Sequence, residues 1–204
     1  MSLTDFALPF LLAAVLLSFE RLGYVLIWRQ PQSFANWAAR LRIADDPLSA
    51  LERLFYAFKL LQLLVFGSWI LAFSDTALPY PKGTTVSQGF AIGLLLVGQV
   101  LNLSTFWQLG RVGIFYGVRF GYSIPWCTGF PFSVCSHPQY LGTVMSIWGV
   151  FLLFRYPAVD WFLLPAVETV FYFLGAHFEG SDARQSSSVG DDASEVSEVV
   201  VESN

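Results

Sequence analysis

The densest run of reactive and conformationally special residues is Phe130-Pro131-Phe132-Ser133-Val134-Cys135-Ser136-His137-Pro138-Gln139-Tyr140-Leu141-Gly142. A polar stretch punctuated by proline runs straight into an apolar one, which predicts a loop that turns into a membrane helix. Pro138 suits the first helical position, where its missing N–H costs nothing. The start of such a helix presents backbone N–H groups and a positive dipole end, a setting for a carboxylate or a phosphate. His137, just ahead of it, is either a solvated loop histidine or a group placed to hold or move a proton. Gly142, Ser146 and Gly149 put small residues along one side of the helix, so another helix or a ligand can come close.

Two further stripes carry polar groups through apolar sequence. Gly98, Asn102 and Thr105 recur at helical spacing and share one face, and Glu168, Tyr172, Gly175 and Glu179 do the same. An ionisable group such as Glu168 inside a membrane helix faces a partner or a wet cavity. The two stripes therefore either enclose one polar cavity with the helix start at Pro138 or act as polar glue between helices. Arg111 and Arg119 follow the third apolar segment at headgroup depth, where they either hold a lipid phosphate or set topology. The two cysteines, Cys127 and Cys135, lack metal-ligand spacing and read as free thiols, so no metal is expected.

The elements that must position these residues follow from composition. Of 204 residues, 55% are hydrophobic and only 13% charged, and the mean hydropathy is +0.56. A soluble domain carries about 25% charge, so the composition excludes an ordinary cytosolic enzyme and a nucleic-acid binder. It predicts an all-α integral membrane protein. Five apolar segments stand out, at about Phe6–Trp28, Leu54–Phe73, Val86–Leu109, Tyr140–Phe154 and Ala158–Ala176. A membrane helix needs about 20 apolar residues. The first three meet that length; the last two are shorter, and Tyr156-Pro157 divides them into a helical hairpin. Glu20-Arg21 lies within the first segment and would also allow it to be re-entrant.

Phe34, Trp37, Ala38 and Leu41 recur at helical spacing among arginines, the pattern of an amphipathic surface helix, with a solvated connector as the alternative. If all five segments cross, Arg29, Arg40, Arg42, Arg53, Arg111, Arg119 and Arg184 lie on one side, and Lys82 and Arg155 on the other. The positive-inside bias puts the His137 loop and the C-terminal tail in the cytosol. The net charge of −4 is concentrated in that tail: from Glu179 onward there are seven acids and one base. Residues 1–180 thus read as a membrane domain and 181–204 as a disordered acidic tail.

From about Gly98 to Glu179 the chain resembles the phospholipid N-methyltransferase family, of the small phosphatidylethanolamine N-methyltransferase kind. The likeness rests on Phe130-Pro131-Phe132-Ser133, on His137-Pro138-Gln139-Tyr140-Leu141-Gly142-Thr143, and on Ser104-Thr105-Phe106-Trp107-Gln108-Leu109-Gly110 upstream. The related isoprenylcysteine carboxyl methyltransferases share His-Pro-x-Tyr-x-Gly. The family's Gly-x-Gly falls on Leu96-Val97-Gly98, which keeps its second glycine. Its Glu-Glu falls on Glu179-Gly180, which keeps the first acid.

The resemblance implies methylation of phosphatidylethanolamine, or of its mono- and dimethylated forms, with S-adenosylmethionine. It implies a cofactor site at Leu96, Val97, Gly98, His137, Pro138, Tyr140, Gly142, Glu179 and Gly180. His137 and Glu179 are the candidates for catalysis, Glu179 serving equally well as base or as cofactor ligand. Arg111, Arg119, Asn102 and Glu168 are the expected contacts of the phospholipid. The expected location is a multi-pass position in the endoplasmic reticulum membrane of a eukaryote, with the active site facing the cytosol and homo-oligomerisation open. The alternatives are carboxyl methylation of a prenylated cysteine and a non-catalytic lipid-binding scaffold. A small transporter fits less well, because the paired broken helices of that class are missing.

Overall fold

The computed structural model describes residues 3–123, 127 and 129–178. Within them the chain is helical and forms no strand. A short 3₁₀ turn, Leu3–Phe6, leads into α1, Ala7–Arg29; then follow α2, Pro31–Arg40, α3, Pro47–Ala72, and α4, Thr85–Ile114. A second 3₁₀ turn spans Gly117–Phe120, and the chain ends its described part with α5, Pro138–Phe154, and α6, Leu163–Phe178. Three stretches are long and apolar enough to cross a membrane: Thr4–Arg29, Pro47–Ala72 and Thr85–Phe120. Helices α5 and α6 are shorter apolar helices, as their sequence lengths predict. Residues 179–204, which carry the acidic tail, lie outside the described residues.

Local chemistry explains the helix starts. Asp46 caps α3 by accepting from the Ser49 backbone N–H at 2.9 Å, with Pro47 behind it at the first helical position. This cap starts α3 about two turns before the apolar run that marks it in the sequence. Thr84 caps α4 in the same way through the Ser87 N–H at 3.2 Å. Gly110 interrupts α4 with φ 60° and ψ −171°, a conformation open to glycine. The turn at Gly110 redirects Arg111–Ile114 toward the start of α3.

Exposed leucines along α1, such as Leu8, Leu11, Leu22 and Leu26, show that its outer face is apolar, as a lipid-facing surface must be. The core lies where α1, α3, α5 and α6 meet, around Leu17, Phe66, Trp69, Phe151 and Leu164. A second cluster joins α2 to the start of α3 through Phe34, Ala38, Leu48 and Leu51. The amphipathic helix therefore forms, with Phe34 and Ala38 buried and Trp37 and Leu41 exposed.

Helices α4 and α5 approach closely, and small residues make it so. A Cβ placed on Gly98 would stand 2.5 Å from the Gly142 carbonyl oxygen, and one on Gly142 would stand 2.6 Å from that of Gly98. Gly149 repeats the fit against the Ala91 carbonyl at 2.9 Å. At the far end of the bundle, Asp160 is fully buried and accepts from Trp69 Nε1 at 2.7 Å and Arg155 Nε at 2.9 Å. That network ties the α5–α6 turn to α3.

Candidate functional site

The tight α4–α5 pair leaves a cleft of about 1010 Å³ between itself, α1, α3 and α6. The start of α5 forms one wall. Pro138 takes the first helical position and is buried, and His137 stands exposed at the N-cap. The His137 side chain makes no capping hydrogen bond, so the first-turn N–H groups are not closed off by it. Its ring stacks near Tyr140, with centroids 5.9 Å apart, and Tyr140 meets Tyr172 of α6 edge-on at 5.5 Å. Opposite, Asn102 of α4 accepts from the Thr143 hydroxyl at 3.4 Å, and Gln99 donates to Ser146 at 2.9 Å.

Of the expected site residues, the cleft gathers His137, Pro138, Tyr140 and Asn102. Gly98 and Gly142 do not line it; they are the packing point behind its α4–α5 wall. The side chains of Leu96 and Val97 are 63% and 49% exposed and face away from the cleft. On α4 the polar residues that line the cleft are Gln99 and Asn102, about one turn on from Leu96, Val97 and Gly98. Glu179 and Gly180 lie outside the described residues.

The expected phosphate-binding arginines are also engaged elsewhere. Arg111 donates to Glu52 at 2.5 Å and to Ser49 at 2.7 Å, which fastens the end of α4 to the start of α3. Arg119 lies over the Trp28 ring, 3.9 Å from its centroid. Neither lines the cleft. The kink at Gly110 accounts for Arg111, because it swings the last turn of α4 sideways. Glu168 is fully buried and sits behind the cleft, accepting from Gln62 Nε2 at 3.2 Å. Gln62, in turn, lines the cleft.

Among the described residues, the charged groups that face the cleft are Glu20, Arg21 and Lys59. Lys59 Nζ donates to Glu20 Oε1 at 2.8 Å, to Gln62 Oε1 at 3.2 Å and to Tyr172 Oη at 3.0 Å. Arg21 donates to the same Glu20 oxygen at 3.0 Å and lays its guanidinium 3.6 Å from the Tyr172 ring centroid. The signal for this cluster was present in the sequence, since all three residues interrupt apolar helices. What the sequence does not give is the rotation that turns α1 and α3 toward each other at these positions.

Residues 86–182 match the phospholipid methyltransferase family. The chain is 37% identical to the phosphatidyl-N-methylethanolamine N-methyltransferase of Arabidopsis thaliana over 124 residues, covering 61% of this chain and 67% of that one. It is 38% identical to the Neurospora crassa protein of the same name over 102 residues, and 36% identical to the Schizosaccharomyces pombe one over 93. Each of these two matches spans 46% of the fungal chain, about half its length. No solved structure matches. The matched region holds α4, α5 and α6 and with them the His137–Gly142 helix start, and the chain belongs to the phospholipid methyltransferase family.

Proposed function

We propose that this protein methylates the amine of a phospholipid headgroup, with phosphatidylethanolamine or its mono- and dimethylated forms as acceptor and S-adenosylmethionine as donor. The relatives' shared name supports the acceptor class. The observation that carries the reading is the cleft itself, which joins an uncapped helix start and a polar floor to walls of leucine and phenylalanine. A reaction between a water-soluble donor and a lipid headgroup needs both surfaces in one enclosure.

Bound S-adenosylmethionine supplies an electrophilic methyl carbon on a sulfonium. The first-turn N–H groups of Gln139 and Tyr140 suit the anionic end of such a molecule, and the Tyr140 ring, Gln99 and Asn102 offer an aromatic face and polar contacts beside them. The acceptor nitrogen attacks as a free amine, so its ammonium proton has to leave first. His137, exposed at the mouth, and Glu179 are the groups to receive it, directly or through water. No anionic intermediate builds up that would call for an oxyanion hole. The chain's task is to align the amine and keep water from the reacting atoms.

The positive-inside bias supports a His137 mouth at the cytosolic face, and the family resemblance supports the endoplasmic reticulum membrane of a eukaryote. The test is methyl transfer by purified protein in lipid nanodiscs with labelled S-adenosylmethionine and a panel of acceptors. Label in methylated ethanolamine lipids is expected. Label only in a prenylated cysteine, or in no acceptor, would overturn the proposal.

A further inference from the structure

The cluster on α1 and α3 keeps polar atoms that no group among the described residues satisfies. Glu20 is 2% exposed and Arg21 8% exposed, yet Glu20 Oε2, Arg21 Nε and Tyr24 Oη are buried without a hydrogen-bond partner. Both cations crowd onto one oxygen of Glu20 and leave the other free. A buried ion cluster serving structure alone would be expected to close both carboxylate oxygens, because each unpaired polar atom is costly. Glu20, Arg21 and Tyr24 all line the cleft. The free atoms are thus one anionic acceptor and two donors, side by side.

That set is complementary to a molecule carrying a cation and an anionic oxygen a few ångströms apart. The rest of the cleft says which molecule. Its walls run from the cluster through Phe66 and Phe106 to Leu63 of α3 and Leu103 of α4, which are 68% and 69% exposed. A polar floor joined to an apolar track that ends on the outer surface fits an amphiphile entering from the bilayer.

We propose that Glu20, Arg21, Tyr24 and Lys59 form the headgroup subsite for a zwitterionic phospholipid. The ammonium lies against Glu20 Oε2, and the phosphodiester lies against Arg21 Nε and Tyr24 Oη. Lys59 holds Glu20 and Tyr172 in place through its hydrogen bonds to both. The assignment rests on the methyltransferase reading for the identity of the lipid. The chain of rings from Arg21 through Tyr172 and Tyr140 to His137 then connects the headgroup to the start of α5.

The test uses the full chain in phosphatidylglycerol nanodiscs containing phosphatidyl-N-methylethanolamine. Tyr24→Phe removes an oxygen with no protein partner, so a structural role predicts no change. Glu20→Gln keeps shape and removes the charge. The subsite predicts at least a tenfold rise in the lipid KM for both, with S-adenosylmethionine affinity within twofold of wild type and the melting temperature of Tyr24→Phe unchanged. Native mass spectrometry, which needs no turnover, should show that wild type retains phosphatidyl-N-methylethanolamine over phosphatidylglycerol and that Tyr24→Phe loses this preference. A wild-type lipid KM in Tyr24→Phe would overturn the subsite. So would weakened cofactor affinity with the lipid KM unchanged, which would assign the cluster to the amino-acid end of the donor. Tyr24-dependent lipid retention without methyl transfer to any lipid would uphold the subsite and overturn the enzymatic reading.

Discussion

His137 stands at the N-cap of α5 without capping it, exposed at the mouth of the cleft and stacked near Tyr140. A histidine kept for the fold would be expected to bond the helix start; this one is free to meet a ligand. His137→Ala should therefore lower turnover at least tenfold without lowering the melting temperature, since a positioned acid–base group typically contributes about 10²–10⁴-fold. Steady-state kinetics of the variant against wild type check this. A loss confined to the KM for S-adenosylmethionine would make His137 a binding residue; a loss in kcat that eases as pH rises would make it the proton acceptor. The His137–Gly142 motif was legible in the sequence because its chemistry is local: a proline at a helix start fixes its own geometry. The cations of the cleft were not. Arg111 and Arg119 looked like headgroup ligands by depth alone, but depth does not say which way a side chain turns. The bend at Gly110 sends Arg111 to Glu52, while Arg21 and Lys59, inside helices, reach the site.

Among the elements, the α4–α5 pair depends on glycines that nothing else can replace. Gly98→Ala would drive a Cβ against the Gly142 backbone, and Gly142→Ala would do the same in reverse. Each should lower thermal stability by several degrees in detergent, read by a fluorescence melting assay. Gly67 of α3 has nothing within 4 Å of such a Cβ, so Gly67→Ala should be neutral or raise stability by up to about 1 kcal/mol through helix propensity. The family likeness suggests Gly98 as a cofactor contact; the structure gives it a packing role, and the same assay with cofactor titration separates the two.

The cap of α3 makes a pH prediction. Hydrogen bonds from the Ser49 hydroxyl and amide hold the Asp46 carboxyl below the usual carboxylate range. A lowered folded pKa stabilises the fold above the unfolded value of about 3.9, and that contribution is lost as pH falls through the lowered value. Asp46→Ala should cost about 1 kcal/mol at neutral pH. The difference from wild type should shrink below about pH 3.9, as equilibrium unfolding at several pH values would show. Helix existence was readable from apolar runs. The rotation of each helix was not, because α1, α3 and α4 are apolar on most sides and carry little directional pattern.

As a whole molecule, the bundle is fastened at its two ends by different chemistry. One end carries the cleft with its unsatisfied polar atoms; the other carries the satisfied Asp160–Arg155–Trp69 network. Asp160→Asn would leave Arg155 buried without its counter-charge, a change that typically costs about 3–5 kcal/mol. It should lower stability sharply while leaving cofactor affinity per folded molecule intact, as a melting curve paired with a binding titration would show. Removing residues 186–204 should leave membrane insertion and methyl transfer unchanged, because that segment has no apolar periodicity with which to dock. The overall class was legible from composition, since so few charges cannot cover a soluble surface. Part of the cleft was legible too, as the polar stripes of Asn102 with Thr105 and of Tyr172 and the helix start at Pro138; the wall from α1 and α3 was not, because it depends on mutual packing that no single segment records.

The most direct measurement is photo-crosslinking of labelled S-adenosylmethionine to the purified protein in nanodiscs, mapped by mass spectrometry. Label should fall on the start of α5 between His137 and Tyr140 and on the facing residues Gln99 and Asn102, and excess unlabelled S-adenosylmethionine should suppress it. Label confined to the outward side chains of Leu96 and Val97, or unaffected by competitor, would contradict a methyl-transfer site in this cleft.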